Sequence, residues 1–183
     1  MSKLLLPFLA VTIFFETAPV FHLITGNNQW FYNILAVIED LVFTLLFYIL
    51  LRGKRTRQFI LLCCVIYLGW AMFYHIYKGT SNFDTTGYRM QAVQIIIFCV
   101  LYFRQLLTLE DERVVLKNPF FWIASASMFF YLGMFLLLTL LEIPAFTNMK
   151  AAQQLWITIN YSLNTLLYTF FAIAFLCPKL STR

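Results

Sequence analysis

The sequence predicts an all-α integral membrane protein, a polytopic bundle of about six transmembrane helices. Its 183 residues are 62% hydrophobic and only 11% charged, with a mean hydropathy of +0.79. A soluble domain carries about 25% charged residues, so this chain lacks the polar side chains to cover a surface in water. The charge deficit extends along the whole sequence, which predicts a single transmembrane domain over residues 1–183.

Six apolar runs are long enough to cross a bilayer core about 30 Å thick, since each helical residue rises about 1.5 Å. The predicted spans cover residues 4–25, 30–51, 58–78, 88–107, 119–142 and 153–177. The first run contains Glu16 and Pro19 and has no clear small-residue cleavage site, so we expect a retained span rather than a signal peptide. Asn118 and Pro119 supply a capping side chain and a first-turn proline where the fifth span begins.

Lysine and arginine are distributed unequally over the two sides of the predicted bundle. With the N-terminus inside, three of the 13 basic residues lie outside, namely Lys78, Arg89 and Lys150, and the other 10 face the cytoplasm. Cytoplasmic loops carry the excess of basic residues in membrane proteins. The sequence therefore predicts that both termini are cytoplasmic, in a multi-pass protein of the cell (inner) membrane.

Short motifs recur at similar separations along the chain. Tyr-Leu-Gly occurs at 67–69 and again at 131–133, in the third and fifth spans. In each even span a polar residue precedes a tyrosine by eight positions: Asp40 and Tyr48, Gln94 and Tyr102, Asn160 and Tyr168. These matches indicate three tandem helical hairpins, a type of repeat found in transporters, although chance matches in an aromatic-rich chain explain them equally well.

Acidic residues inside the first two spans are the main candidates for function. Glu16, Glu39 and Asp40 fall near the middle of their spans, where an ionised side chain costs about 2.5–3.5 kcal/mol on insertion scales. Carboxylates that share a dry site favour proton or cation binding. Alternatively, Glu39 simply hydrogen-bonds to a neighbouring helix and Asp40 meets a water pocket. The predicted ligand or ion site comprises Glu16, Glu39, Asp40, Tyr48, Gln94 and Asn160.

Two histidines, His22 and His75, lie near the outer ends of their spans and are candidate pH-sensing groups. An interfacial histidine bonded to a loop carbonyl is the favoured alternative for each. Gln94 and Asn160 also have an ordinary role as hydrogen-bonding residues between helices. No catalytic, phosphate-binding or metal-binding motif is present, so we predict no catalytic residues, no metal and no cofactor.

Several segments carry a resemblance to a known family. They are the run from Tyr32 to Glu39, the basic loop 52–57, and residues 117–123 with the later run 130–133. Together they resemble a family of uncharacterised small polytopic membrane proteins common in Bacteroidota. The resemblance implies a bacterial inner-membrane location and adds weight to Glu39, but it implies no mechanism.

Three functions remain open on the sequence. The first is a sensory, signalling or ligand-binding membrane module that acts with a separate cytoplasmic protein partner. The second is a small-solute or proton-coupled transporter that uses the midplane carboxylates, for which a homo-oligomer would supply the cavity. A lipid-modifying membrane enzyme is the third and least favoured. The other expected partner is the lipid bilayer. We expect no nucleic-acid partner, because no nucleic-acid-binding motif is present.

Overall fold

The computed structural model of the protein describes residues 29–79, 82–109, 115–142 and 149–177, and this part of the chain contains helices and no strand. In chain order the helices are α1 (Gln29–Leu50), α2 (Lys54–Lys78), α3 (Thr85–Leu109), α4 (Pro119–Leu141) and α5 (Met149–Leu176).

All five helices are long and apolar enough to cross a membrane. They coincide with the second to sixth predicted spans, which confirms the helical fold and is consistent with a multi-pass membrane protein. The first predicted span, 4–25, lies outside the described residues. Helix α2 begins at Lys54 and α3 at Thr85, several residues before the predicted spans, because polar residues continue a helix beyond its apolar part.

The described residues divide into two compact units. One comprises 29–49 and 54–91, and the other comprises 50–53 and 92–177. Aromatic and branched side chains fill the core of each: Phe31, Phe43, Phe47, Ile60 and Tyr67 in the first, and Ile95, Phe98, Ile123, Tyr131 and Leu137 in the second. Many large apolar side chains also face outward, including Val65 and Ile76. Outward apolar surface on long helices suits contact with lipid rather than with water.

Helices α4 and α5 pack along one another within the second unit. A Cβ atom at Gly133 would lie 2.6 Å from a methyl carbon of Leu163, so the glycine permits a close approach of the two helices. Gly69, which ends the other Tyr-Leu-Gly motif, has no atom within 4 Å of the equivalent position. The two motifs therefore place their glycines in different environments.

Helix α4 begins at the position that the sequence predicts. The side chain of Asn118 accepts a hydrogen bond of 3.0 Å from the Phe120 N–H, and Pro119 occupies the first turn. An N-cap side chain satisfies one of the N–H groups that have no partner within the helix.

Candidate functional site

Asp84 organises the connector between α2 and α3, of which the structure describes residues 79 and 82–84. It precedes the first residue of α3, and its Oδ1 atom accepts a 2.8 Å hydrogen bond from the Gly87 N–H. Its Oδ2 atom accepts a 3.0 Å hydrogen bond from the Trp70 indole of α2. A Cβ atom at Gly87 would overlap the Asp84 carboxylate and approach Trp70 Cδ1 to 3.2 Å. Glycine at position 87 is therefore needed for both bonds of Asp84.

Helix α1 holds the same connector through two polar side chains. Asn33 is buried; its Nδ2 donates to the Asn82 carbonyl at 2.9 Å and its Oδ1 accepts from the Asp84 N–H at 3.0 Å. Gln29 Oε1 accepts from the Phe83 N–H at 3.0 Å. Side chains of α1 thus satisfy backbone groups of the connector that have no partner within a helix.

An apolar groove of about 420 Å³ lies beside this connector. Among the described residues it is lined by Ile34, Val37 and Ile38 of α1 and by Leu68, Ala71, Met72, His75 and Ile76 of α2. Within each helix these positions follow the three- and four-residue spacing of one helix face. The small side chain of Ala71 leaves space between the larger ones, and His75 is the single polar residue of this described lining.

A much smaller polar cavity, about 10 Å³, adjoins the groove and shares Val37, Ala71 and His75 with it. Its other described lining residues are Asn33, Ala36, Tyr67, Phe83, Asp84 and Tyr88. This volume corresponds to about one water molecule. The Nδ1 atom of His75 is buried and has no hydrogen-bond partner among the described residues. His75 therefore stands at the boundary between an apolar space and a small polar one.

Asp40 lies in the core of the first unit with no exposed surface. The Cys64 thiol of α2 is a hydrogen-bonding neighbour of its carboxylate. One turn before Asp40, the Ala36 carbonyl accepts a 2.9 Å hydrogen bond from Nε2 of the fully buried Gln91. Glu39 is only half-buried. Of the two adjacent acidic residues, Asp40 is thus the one enclosed by protein.

The other predicted site residues are dispersed along the chain. Tyr48 is eight residues from Asp40 on α1, about 12 Å along the helix axis, and its ring lies 5.3 Å from the Arg57 guanidinium carbon. Gln94 is buried on α3, and Asn160 Oδ1 accepts a 3.2 Å bond from Asn164 on α5. Gln94 and Asn160 belong to the second unit. Glu16 and His22 lie outside the described residues.

Sequence reasoning missed Asn33, Trp70, Asp84 and the groove. The sequence carries two signals for them. Asp84 stands where an N-cap residue of α3 is expected, three residues before Gly87. Positions 68, 71, 72, 75 and 76 form a stripe along one helix face that is apolar except for His75. Which apolar stripe borders an empty space depends on how two helices pack, and a stripe alone does not reveal it.

Comparisons with family models, with curated proteins and with solved structures gave no significant match to this chain. Among the described residues, no group of three or more His, Cys, Asp or Glu side chains is placed to hold a metal ion. The groove, His75 and the buried Asp40 are therefore the candidate functional features of the described residues.

Proposed function

We propose that this protein is a ligand-binding membrane module that takes a lipophilic molecule from the bilayer into the groove between α1 and α2. The groove is the observation that carries the proposal. Its volume of about 420 Å³ falls within the range of about 300–1,000 Å³ that is usual for small-molecule sites. A mostly apolar lining with one polar group is also typical of such sites.

The same proposal includes how a bound ligand would signal to the cell. We place the protein in a bacterial inner membrane with six spans and both termini in the cytoplasm, as the distribution of basic residues favours. The groove and His75 then lie toward the outer side. Occupancy would change the packing of α1 against α2, and a cytoplasmic protein partner would sense that change. The resemblance to small polytopic proteins of Bacteroidota agrees with this location.

Photolabelling of the protein in nanodiscs tests the proposal. We expect an 18-carbon chain that carries a diazirine to label the Leu68–Ile76 segment saturably. Replacement of Ala71 with tryptophan fills the groove and is expected to lower labelling there at least about tenfold, an affinity loss of about 1.4 kcal/mol. The adducts are located by peptide mass spectrometry.

Val65→Trp is the matched control, because Val65 lies on the same helix, is 65% exposed and does not line the groove. This control is expected to leave the labelling unchanged. Labelling that rises linearly with probe concentration and spreads evenly over all outward-facing helix surfaces would contradict a binding site. A groove permanently filled by another segment of the chain would give the same negative result.

A second candidate, proton-coupled transport, has its support in the burial of Asp40. Ionisable residues inside membrane proteins commonly mark ion or proton pathways, and Asp40 is enclosed beside Cys64 in the first unit. The proposal requires proton exchange at the Asp40 carboxylate. It does not require the apolar groove, so the two functions are separable by experiment.

For transport, we expect Asp40→Asn to lower proton flux into proteoliposomes at least about tenfold, because asparagine keeps the shape of the side chain but does not exchange a proton near neutral pH. A pH-sensitive dye inside the vesicles reports the flux under an imposed pH gradient. Asp84→Asn is the control, since this carboxylate caps α3 rather than lying in the core. Equal flux in wild type and Asp40→Asn would rule out this role.

A further inference from the structure

We infer that the ligand of the groove is an uncharged lipophilic alcohol or phenol whose hydroxyl group hydrogen-bonds to Nδ1 of His75. This inference rests on the proposed function and adds the chemistry of the head group. It follows from three features of the first unit: the buried Nδ1 atom, the size of the adjoining polar cavity and the charge of Asp84.

The position of His75 defines where the polar end of a ligand would lie. His75 lines both the apolar groove and the polar cavity, and its Nδ1 atom has no hydrogen-bond partner within the described part of the chain. A buried polar atom that lacks a partner is unfavourable, because it has lost its hydrogen bonds to water without a replacement. A ligand hydroxyl both donates and accepts, so it satisfies Nδ1 in either tautomer of the imidazole.

The adjoining cavity limits the size of the head group. Its volume of about 10 Å³ corresponds to about one water molecule. A hydroxyl oxygen has that size, whereas a phosphate or a sugar does not. The chain of the ligand would lie along Ile34, Ile38 and Met72 in the groove, and the hydroxyl would replace a water at the polar end.

The charge and the fixed position of Asp84 decide against an acidic head group. Asp84 lines the polar cavity, and its two oxygens already accept bonds from Gly87 and Trp70. A carboxylate or phosphate beside it would repel it in a low-dielectric environment. Asn33, which also lines the cavity, has both of its side-chain atoms bonded to the connector. Asp84 and Asn33 are thus both engaged in hydrogen bonds, whereas Nδ1 of His75 has no such partner among the described residues.

Competition against the diazirine probe tests the head group with four matched 18-carbon chains: oleyl alcohol, oleyl methyl ether, oleic acid and octadecene. We expect all four to compete, because the groove binds the chain. Oleyl alcohol is expected to reach half-competition at about one-fifth of the concentration that the other three require, the effect of one hydrogen bond of ordinary strength. The measured quantity is adduct formation at residues 68–76.

The same competition is measured on the His75→Phe variant, because phenylalanine keeps an aromatic ring and removes both nitrogen atoms. We expect this variant to bind the chains and to lose the preference for the alcohol. Equal competition by all four compounds in the wild-type protein, or an alcohol preference that survives His75→Phe, would overturn the inference and leave the proposed function intact. Failure of every compound to compete would instead contradict the proposed function.

Discussion

Replacement of Gly87 with alanine is expected to lower the free energy of unfolding by about 2 kcal/mol. The added Cβ would occupy the position of the Asp84 carboxylate, which bonds to the Gly87 N–H and to the Trp70 indole. Loss of an N-cap side chain costs about 0.5–2 kcal/mol, and an indole N–H left without its partner adds about 1–3 kcal/mol. The higher helix propensity of alanine offsets about 1 kcal/mol of this loss.

Gly69→Ala is a control for which the opposite change in unfolding free energy is expected. Gly69 lies inside α2, and a Cβ atom there meets nothing within 4 Å, so alanine is expected to stabilise the protein by about 0.5 kcal/mol. Unfolding of both variants in mixed detergent micelles of increasing dodecyl sulfate content, followed by far-UV circular dichroism, provides the comparison. A Gly87→Ala variant as stable as Gly69→Ala would show that Asp84 does not hold the connector.

Phe47→Ala is expected to have the larger effect on stability, about 3 kcal/mol or more. Phe47 has no exposed surface, and truncation of a buried phenylalanine to alanine costs about 3–5 kcal/mol in lost contacts and cavity formation. Lipid does not reach this position to replace the missing atoms. The unfolding free energy in the same mixed micelles is the measurement.

Leu45→Ala is the matched control, two residues earlier on α1. Leu45 is 43% exposed and faces outward, where lipid or detergent chains fill the space that the leucine vacates. A change within about 0.5 kcal/mol is expected, as for most outward positions. If the two variants lost equal stability, α1 would not be oriented with Phe47 inward and Leu45 outward.

Asp40 and Glu39 could be identified as candidates from the sequence, but their burial could not. Both were candidates because they carry charge inside an apolar span, and a charge in a span is visible in the sequence. The structure separates them: Asp40 is fully enclosed, whereas Glu39 is only half-buried. Adjacent residues on a helix point about 100° apart, so only the positions of α2 and the other neighbouring elements decide which of the two is buried.

The sequence by itself determined that the protein is helical, where five long apolar helices lie, and that Asn118 caps α4. Those properties follow from apolar run length and local capping chemistry, which act over a few residues and do not depend on the rest of the chain. Tertiary structure alone decided that Asn33 and Asp84, 51 positions apart, share a hydrogen bond and that His75 lines both the groove and the polar cavity. Such features arise when separate helices pack, because packing brings distant residues together and leaves empty space where the side chains are small.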